Sequence, residues 1–323
     1  MRPFDIMTLG VPMVEFTREV KDIPLSQAGL FYGPVPAGDP GIALNACVCL
    51  GYSGCYVGVA GADAFAECFL NQMSRNSVDT SHIRIEPKRA TGISLLTQFS
   101  DGSREFVFTV PDSAAATLGI QDLDEDLIKH VRWIHLSGFA LSISDSSMKL
   151  HHKLIDVVDN NTIISFDPNY RKQVISKTEY RKRAMKLLER CDYFLPSRNE
   201  AILFCDKSIT EEEYCSKLSE TGKDIVLKDG ARGCCAFSKG TIRKFPAFKV
   251  NEVDPTGAGD IFDGALAAKI MDGSDFFDAV LYANAAGAIA VTRRGLMDIA
   301  PSREDMERFL EDNAQNNSNE SKR

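Results

Sequence analysis

The chain is poor in the features that mark membrane, secreted and nucleic-acid-binding proteins. No run of about 18 apolar residues occurs, which excludes a membrane-spanning helix. The start, Met1-Arg2-Pro3-Phe4-Asp5, leads straight into an apolar strand-like segment. It lacks the basic start, long apolar stretch and small-residue cleavage site of a signal peptide. Nine cysteines (Cys47, Cys49, Cys55, Cys68, Cys191, Cys205, Cys215, Cys234 and Cys235) form no C-x-x-C pair, and their number is odd. Free, buried thiols in a reducing cytoplasm are therefore expected. Positive charge is also short: 37 Lys+Arg against 45 Asp+Glu leave a net charge of −8. That argues against a nucleic-acid partner, whose phosphates need cationic neutralisation. It leaves room for a small anionic substrate, which a few backbone N–H groups can hold. Five histidines show no zinc-ligand or Ser-His-Asp spacing. His151 and His152 point to different faces of a helix, and His135 reads as a core residue.

What is present is an ordinary globular composition, 44% hydrophobic and 25% charged over 323 residues. At roughly 150 residues per domain this is two domains, or one large α/β domain with an appendage. Short apolar runs, Asp5–Leu9, Cys55–Val59, Arg132–Leu136, Thr162–Phe166, Asp192–Leu195 and Asp224–Leu227, alternate with helix-period segments. Those segments are Ile42–Leu50, Ala64–Met73, Asp122–Lys129, Ser147–Val158, Glu179–Glu189 and Thr210–Ser219. Strands apolar on both faces that alternate with helices predict an α/β fold, a doubly wound, mostly parallel sheet. Residues 12–35 and 91–110 break the alternation. Gly92–Phe99 and Arg104–Val110 flank the turn Ser100-Asp101-Gly102-Ser103, a hairpin pattern. These pieces are expected to form a small antiparallel β-lid, with residues 1–11, 36–90 and 111–310 as the core. Residues 311–323 are polar and read as a disordered tail.

The most informative stretch is Asp254-Pro255-Thr256-Gly257-Ala258-Gly259-Asp260-Ile261-Phe262-Asp263-Gly264. Apolar residues recur at helical spacing after it, so a glycine-rich turn opens directly into a helix. The N–H groups of Gly257, Ala258 and Gly259 can converge on one anion, helped by the helix dipole. Asp260 beside them can take a proton from an attacking hydroxyl. An anion hole next to a base suits phosphoryl transfer to an alcohol.

This string resembles the C-terminal motif of the ribokinase-like, or PfkB, carbohydrate kinases, and the likeness runs from about residue 5 to 311. Ala37-Gly38-Asp39-Pro40-Gly41, Gly61-Ala62-Asp63-Ala64-Phe65 and Asn76-Ser77-Val78-Asp79-Thr80 agree with it. The resemblance implies an ATP-dependent sugar kinase with Asp260 as base and Gly257, Ala258 and Gly259 as the hole for the transferred phosphate. No Walker A sequence occurs, so the nucleotide is not held by a P-loop. Instead Val226-Leu227-Lys228-Asp229-Gly230-Ala231-Arg232-Gly233 resembles the segment beside ATP. Lys228 would stand near the phosphates, with Gly230 and Gly233 allowing close approach and Asn284 beside the adenine. Ser197 and Glu200 occupy the family's N-x-x-E positions, with Glu200 organising water around Mg²⁺. A monovalent cation, K⁺, is a further candidate.

For the acceptor, Phe166-Asp167-Pro168-Asn169-Tyr170-Arg171 resembles the D-x-N-x-R segment of 2-keto-3-deoxygluconate kinases and fructokinases. Glu15, within Pro12–Phe16, leans toward the former. Glu15, Gly38, Asp39, Asn169 and Arg171 are the expected acceptor contacts. Two positions depart from the pattern. Ile42 replaces an Asn that would bond the sugar, and Thr109-Val110 replace a Tyr-Arg pair whose Arg would hold a sugar acid's carboxylate. The expected substrate is a sugar or sugar acid, most like 2-keto-3-deoxygluconate. The alternatives are fructose or another neutral sugar or nucleoside, or a sugar sensor without activity. A homodimer through the lids is expected, because an apolar lid face and open strand edges favour pairing.

Overall fold

The computed structural model describes residues 4–205 and 208–320, the last five by backbone alone. The first half of the chain runs β1 (Ile6–Gly10), β2 (Met13–Arg18), β3 (Phe31–Ala37), α1 (Asp39–Cys49), β4 (Gly54–Gly61), α2 (Ala64–Arg75), β5 (Ile83–Glu86), β6 (Gly92–Gln98) and β7 (Arg104–Phe108). Then come α3 (Glu125–Ile128), β8 (Trp133–Ser137), α4 (Gly138–Ser142), α5 (Asp145–Val157), β9 (Ile163–Asp167), α6 (Lys177–Arg190) and β10 (Tyr193–Phe194). The last part is α7 (Glu211–Ser219), β11 (Asp224–Lys228), β12 (Cys234–Ser238), β13 (Thr241–Phe245), α8 (Ala258–Met271), α9 (Phe276–Val291) and α10 (Arg303–Glu320).

Nine strands form one sheet in the order β13-β12-β11-β10-β9-β8-β1-β4-β5. The seven from β11 to β5 pair in parallel, and β12–β13 add an antiparallel hairpin at the edge. Alternate residues of each inner strand feed two separate cores. Ile6, Tyr56 and Trp133 join one with α1, α8 and α9, while Met7, Val57 and Ile134 join the other with α5, α6 and α7. This is the doubly wound α/β fold the alternation predicts. Crossing of α1 and α8 is close enough that a Cβ on Gly264 would lie 2.1 Å from the Ala43 carbonyl oxygen.

The lid is a four-stranded sheet, β3-β2-β6-β7. It is not wholly antiparallel: its two hairpin pairs are, but the central β2–β6 pair is parallel. The reason is topological. β2 and β6 each follow a strand of the parallel sheet, β1 and β5, and so enter the lid in the same direction. β3 runs on to Ala37, past the expected lid boundary, and delivers Gly38 to the start of α1. The helix expected over Asp122–Lys129 is shorter, because the Asp124 side chain accepts from the N–H groups of Asp126 and Leu127 and starts the helix afresh there.

The tail departs from expectation. Residues 311–320 continue α10, and 321–323 lie outside the described residues. Composition misleads there because the helix is fixed at its start. Ser302 and Asp305 exchange side-chain-to-backbone hydrogen bonds, Met306 is buried, and Phe309 packs edge-on to Phe248 at 5.2 Å. Among the described residues no helix is long and apolar enough to cross a membrane, and no disulfide joins any of the cysteines.

Gly264→Val should lower unfolding stability by about 3 kcal/mol, an overpacking cost between two rigid backbones. Urea denaturation checks this; a loss within about 0.5 kcal/mol would mean that the two helices part freely.

Candidate active site

A cleft of about 960 Å³ opens at the carboxyl ends of β9 and β11, roofed on one side by the lid. Twelve of the residues singled out from the sequence line it: Ser197, Glu200, Lys228, Gly230, Gly233, Asn284, Asn169, Arg171 and the run from Gly257 to Asp260. In open parallel sheets this edge is where ligands bind, because backbone groups and loops converge there.

The glycine loop has the geometry of an anion hole. Gly257 sits at φ 77°, ψ −7°, a left-handed conformation, and no side chain caps α8. The first N–H groups of a helix have no partner within it, so those of Ala258, Gly259 and Asp260 remain available. Behind the loop, Ile42 methyl carbons lie 3.8 Å from where a Gly257 side chain would start. Ile42 therefore packs the loop from behind. Asp260, half-buried in the first turn, is next to this hole. Burial pushes its carboxyl well above the usual range; Asp39 and Asp167 add repulsion, while Lys228 and Arg171 oppose it.

Asp39, at the start of α1, accepts from the Ser137 hydroxyl and from Asn169 Nδ2, the latter at 2.7 Å. Its Oδ1 has no partner among the described residues. Burial pushes this carboxyl up to about 7. Asn169 reaches it from a left-handed backbone, φ 36°. Gly38 caps α1 at φ 111°, where a Cβ would lie 2.3 Å from the Val11 carbonyl oxygen. Gly38 and Asp39 lie just behind the lining, Asp39 joined to it through Asn169.

Strand alternation places Arg104, Phe106 and Phe108 on one face of β7. That face is turned inward. Phe106 stacks on Phe108 and Phe108 packs on Phe139 of the core, each at 5.4 Å, and the Arg171 guanidinium lies 5.8 Å from the Phe106 ring centre. Val107, on the opposite face of β7, is 46% exposed, and Leu30 and Val20, in the loop between β2 and β3, are 74% and 60% exposed. Val110 lies beyond the strand in a 3₁₀ turn and is fully buried. It is packed into the core, so an arginine there would have no route to the cleft.

At the other end, Glu200 accepts from the backbone N–H groups of Tyr170 and Ser197, both at 2.9 Å. Burial, with repulsion from Asp167, pushes it up to about 7. Asn284 Nδ2 donates to the Pro246 carbonyl at 2.8 Å, which ties α9 to the loop after β13. Lys228 is engaged by carboxylates, Asp167 and Asp263, at 3.0 and 2.9 Å. Glu15 is buried in the lid sheet, accepts from Thr17 and Ser94 at 3.2 Å each, and is outside the residues that line the cleft. Burial pushes it up to about 7. Arg104, a candidate cation for an acid acceptor, lines the cleft, and two residues beside it escaped the sequence reading, Asp263 and Gln98. Gln98 Nε2 donates to Asp254 Oδ1 at 3.0 Å and Thr256 Oγ1 at 3.3 Å, joining the lid to the glycine loop. The available signal for Asp263 was a lone charge on the apolar side of α8.

An uncapped helix start after a left-handed glycine, a neighbouring carboxyl and a lidded polar cleft at the strand ends are the parts that phosphoryl transfer to a small hydroxylic acceptor requires. Residues 37–303 match the profile described as pfkB family carbohydrate kinase, and the chain belongs to that family, a group of ATP-dependent sugar kinases. It is 28% identical to fructokinase-2 of Zea mays over 92% of this chain and 91% of that one. It is 27% identical to fructokinase-1 of Oryza sativa subsp. japonica over 95% and 97%. Among solved structures, an E. coli protein described as "a putative Ribokinase II in complex with ATP and Mg+2" is 32% identical, covering 95% of this chain and 99% of that one, with a TM-score of 0.87.

Asp260→Asn should lower kcat by about 10²–10⁴-fold, the worth of a positioned base, while nucleotide affinity is retained. In the wild type the acidic limb of kcat should lie above the ordinary aspartate range, because activity is lost as pH falls through the raised value of Asp260. Steady-state rates across pH, with calorimetric nucleotide binding, check both. Turnover of Asp260→Asn within about threefold of wild type would remove Asp260 from this role.

Proposed function

We propose that the protein transfers the γ-phosphoryl group of ATP to a hydroxyl of a neutral sugar of the fructose type. The observation that carries this is the meeting of Asp260 and the uncapped start of α8 in one lidded cleft, with the unpartnered Asp39 oxygen just behind its lining. Asp39 and Asn169 bind and orient acceptor hydroxyls, Asp260 takes the proton of the attacking one, and the N–H groups after Gly257 receive the phosphoryl oxygens. Asp229, Gly230, Ala231, Gly233 and Asn284 line the part of the cleft assigned to the nucleotide, while Lys228 is taken up by Asp167 and Asp263.

Mg²⁺ fits as an ion carried on the nucleotide. Both Glu200 oxygens already accept backbone N–H groups, so Glu200 would meet the ion through water, and no cluster of three or more potential ligands occurs among the described residues. When bound, the ion neutralises phosphate charge. Relatives named fructokinase support the neutral acceptor over 2-keto-3-deoxygluconate. The sugar-acid reading keeps one support: Arg104 and Arg171 line the cleft, and neither forms an ion pair among the described residues. The cysteines, present as thiols and not as disulfides, fit a cytoplasmic setting.

A kinase assay with fructose, other neutral sugars, 2-keto-3-deoxygluconate and nucleosides tests the acceptor. We expect kcat/KM for fructose to exceed that for the acid sugar by at least about tenfold, the scale of one misplaced polar contact. A preference for the acid sugar would overturn the neutral-sugar reading and point to the two arginines.

The protein is also proposed to pair as a homodimer through the outer lid surface, where Leu30, Val20 and Val107 are exposed beside the open edges of β3 and β7. Light scattering at tens of micromolar should report a dimer, and a monomer with and without sugar would count against it.

A further inference from the structure

The cleft floor holds an ion cluster to which phosphoryl transfer, as proposed above, gives no task. Lys228 Nζ donates to Asp167 Oδ2 at 3.0 Å and to both oxygens of Asp263 at 2.9 Å. The side chains of Lys228, Asp167 and Asp263 are 9%, 7% and 0% exposed. Burial pushes the Asp263 carboxyl well above its ordinary range, with Lys228 opposing this and Asp167 adding to it, while Lys228 holds Asp167 below its own. Such clusters are costly to desolvate and are weak sources of stability. The position of this one gives it a use. The Lys228 ammonium lies 3.7 Å from where a Cβ on Gly259 would sit, hard against the backbone of the anion hole. Asp167 ends β9, Lys228 ends β11, and Asp263 stands three residues beyond Asp260 on α8. The cluster thus ties the two strand ends to the helix turn that carries the base.

We propose that Lys228, clamped by Asp167 and Asp263, is a positioning residue for phosphoryl transfer: it fixes the first turn of α8 over the strand ends and sets a positive charge against Gly259 and Asp260. The inference rests on Asp260 being the base. Facing Asp260 are Asp39 from α1, Asp167 from β9, Lys228 from β11 and Arg171 from the loop after β9, with Asp263 on its own helix. Lys228 and Arg171 are the cations that favour its ionised form. Burial alone would discharge the ammonium, but Asp167, Asp263 and Asp260 outweigh it and keep Lys228 charged.

The test is kcat and both KM values across pH for the full chain and two variants. Lys228→Met should lower kcat at least about tenfold while leaving KM for sugar and ATP within about threefold. Its acidic limb should move to higher pH, because Asp260 loses a cation. Lys228→Gln keeps hydrogen-bond donors for Asp167 and Asp263 but removes the charge, so its limb should also move to higher pH. A purely structural tie would leave the limb in place in both. Limbs unmoved in both variants, with an active wild type, overturn the role of Lys228 alone. If circular dichroism shows Lys228→Met unfolded, Lys228→Gln decides by the same criterion. A wild type that phosphorylates no sugar in the panel overturns the kinase reading and this inference together.

Discussion

Helices cover both faces of the nine-stranded sheet, and that burial constrains everything else. Most side chains of the inner strands are apolar in both directions, and the few polar ones, Thr8, His135 and Ser165, are buried and make their hydrogen bonds within the sheet. Polar chemistry gathers where the strands end. Asp167 and Lys228 are the last residues of β9 and β11, and Asp39 and Asp260 sit in the first turns of helices entering from above. The carboxyl edge thus brings four acidic or basic groups together from distant parts of the chain. Burial and then repulsion from neighbouring carboxylates raise the carboxyls of Asp39 and Asp260, the shift found for groups that exchange protons in active sites.

The lid supplies what the sheet edge lacks, a roof. Its inward aromatic face joins Phe106 to Phe139 through Phe108, a column of rings that excludes water beside Arg171. Gln98 ties the same lid to Asp254 and Thr256. Roof and glycine loop are therefore parts of one hydrogen-bonded unit. Shielding a phosphoryl group from water strengthens each electrostatic contact made to it.

Much of this was legible in the sequence where the backbone itself carries the information. The run from Gly257 to Asp260 declares a tight turn opening a helix, and the structure places a left-handed Gly257 and an uncapped helix start there. Two-sided apolar strands likewise declare a parallel sheet. Side-chain partnerships across long sequence separations did not show. Lys228 meets Asp263 and Asp167 across 35 and 61 residues, and nothing local in Val226-Leu227-Lys228 points to either. Val110 was read as lying on the lid's cleft side; β7 ends at Phe108 and the chain turns back into the core. The α10 tail was read from polar composition alone, whereas a few apolar residues at its start anchor the helix.

The crossing of α1 and α8 has a bearing on reach. Ala43 is four residues, one turn, past Asp39, and Gly264 is four residues past Asp260. The two helices touch backbone to backbone at that level, with room for a hydrogen atom and no carbon. The span between Asp39 and Asp260, the groups proposed to grip the acceptor and take its proton, is therefore set by an absent methyl. A side chain at position 264 would lengthen that span without touching either carboxylate. Its kinetic mark would be that of a substrate held slightly too far from its base, with every reacting group still in place.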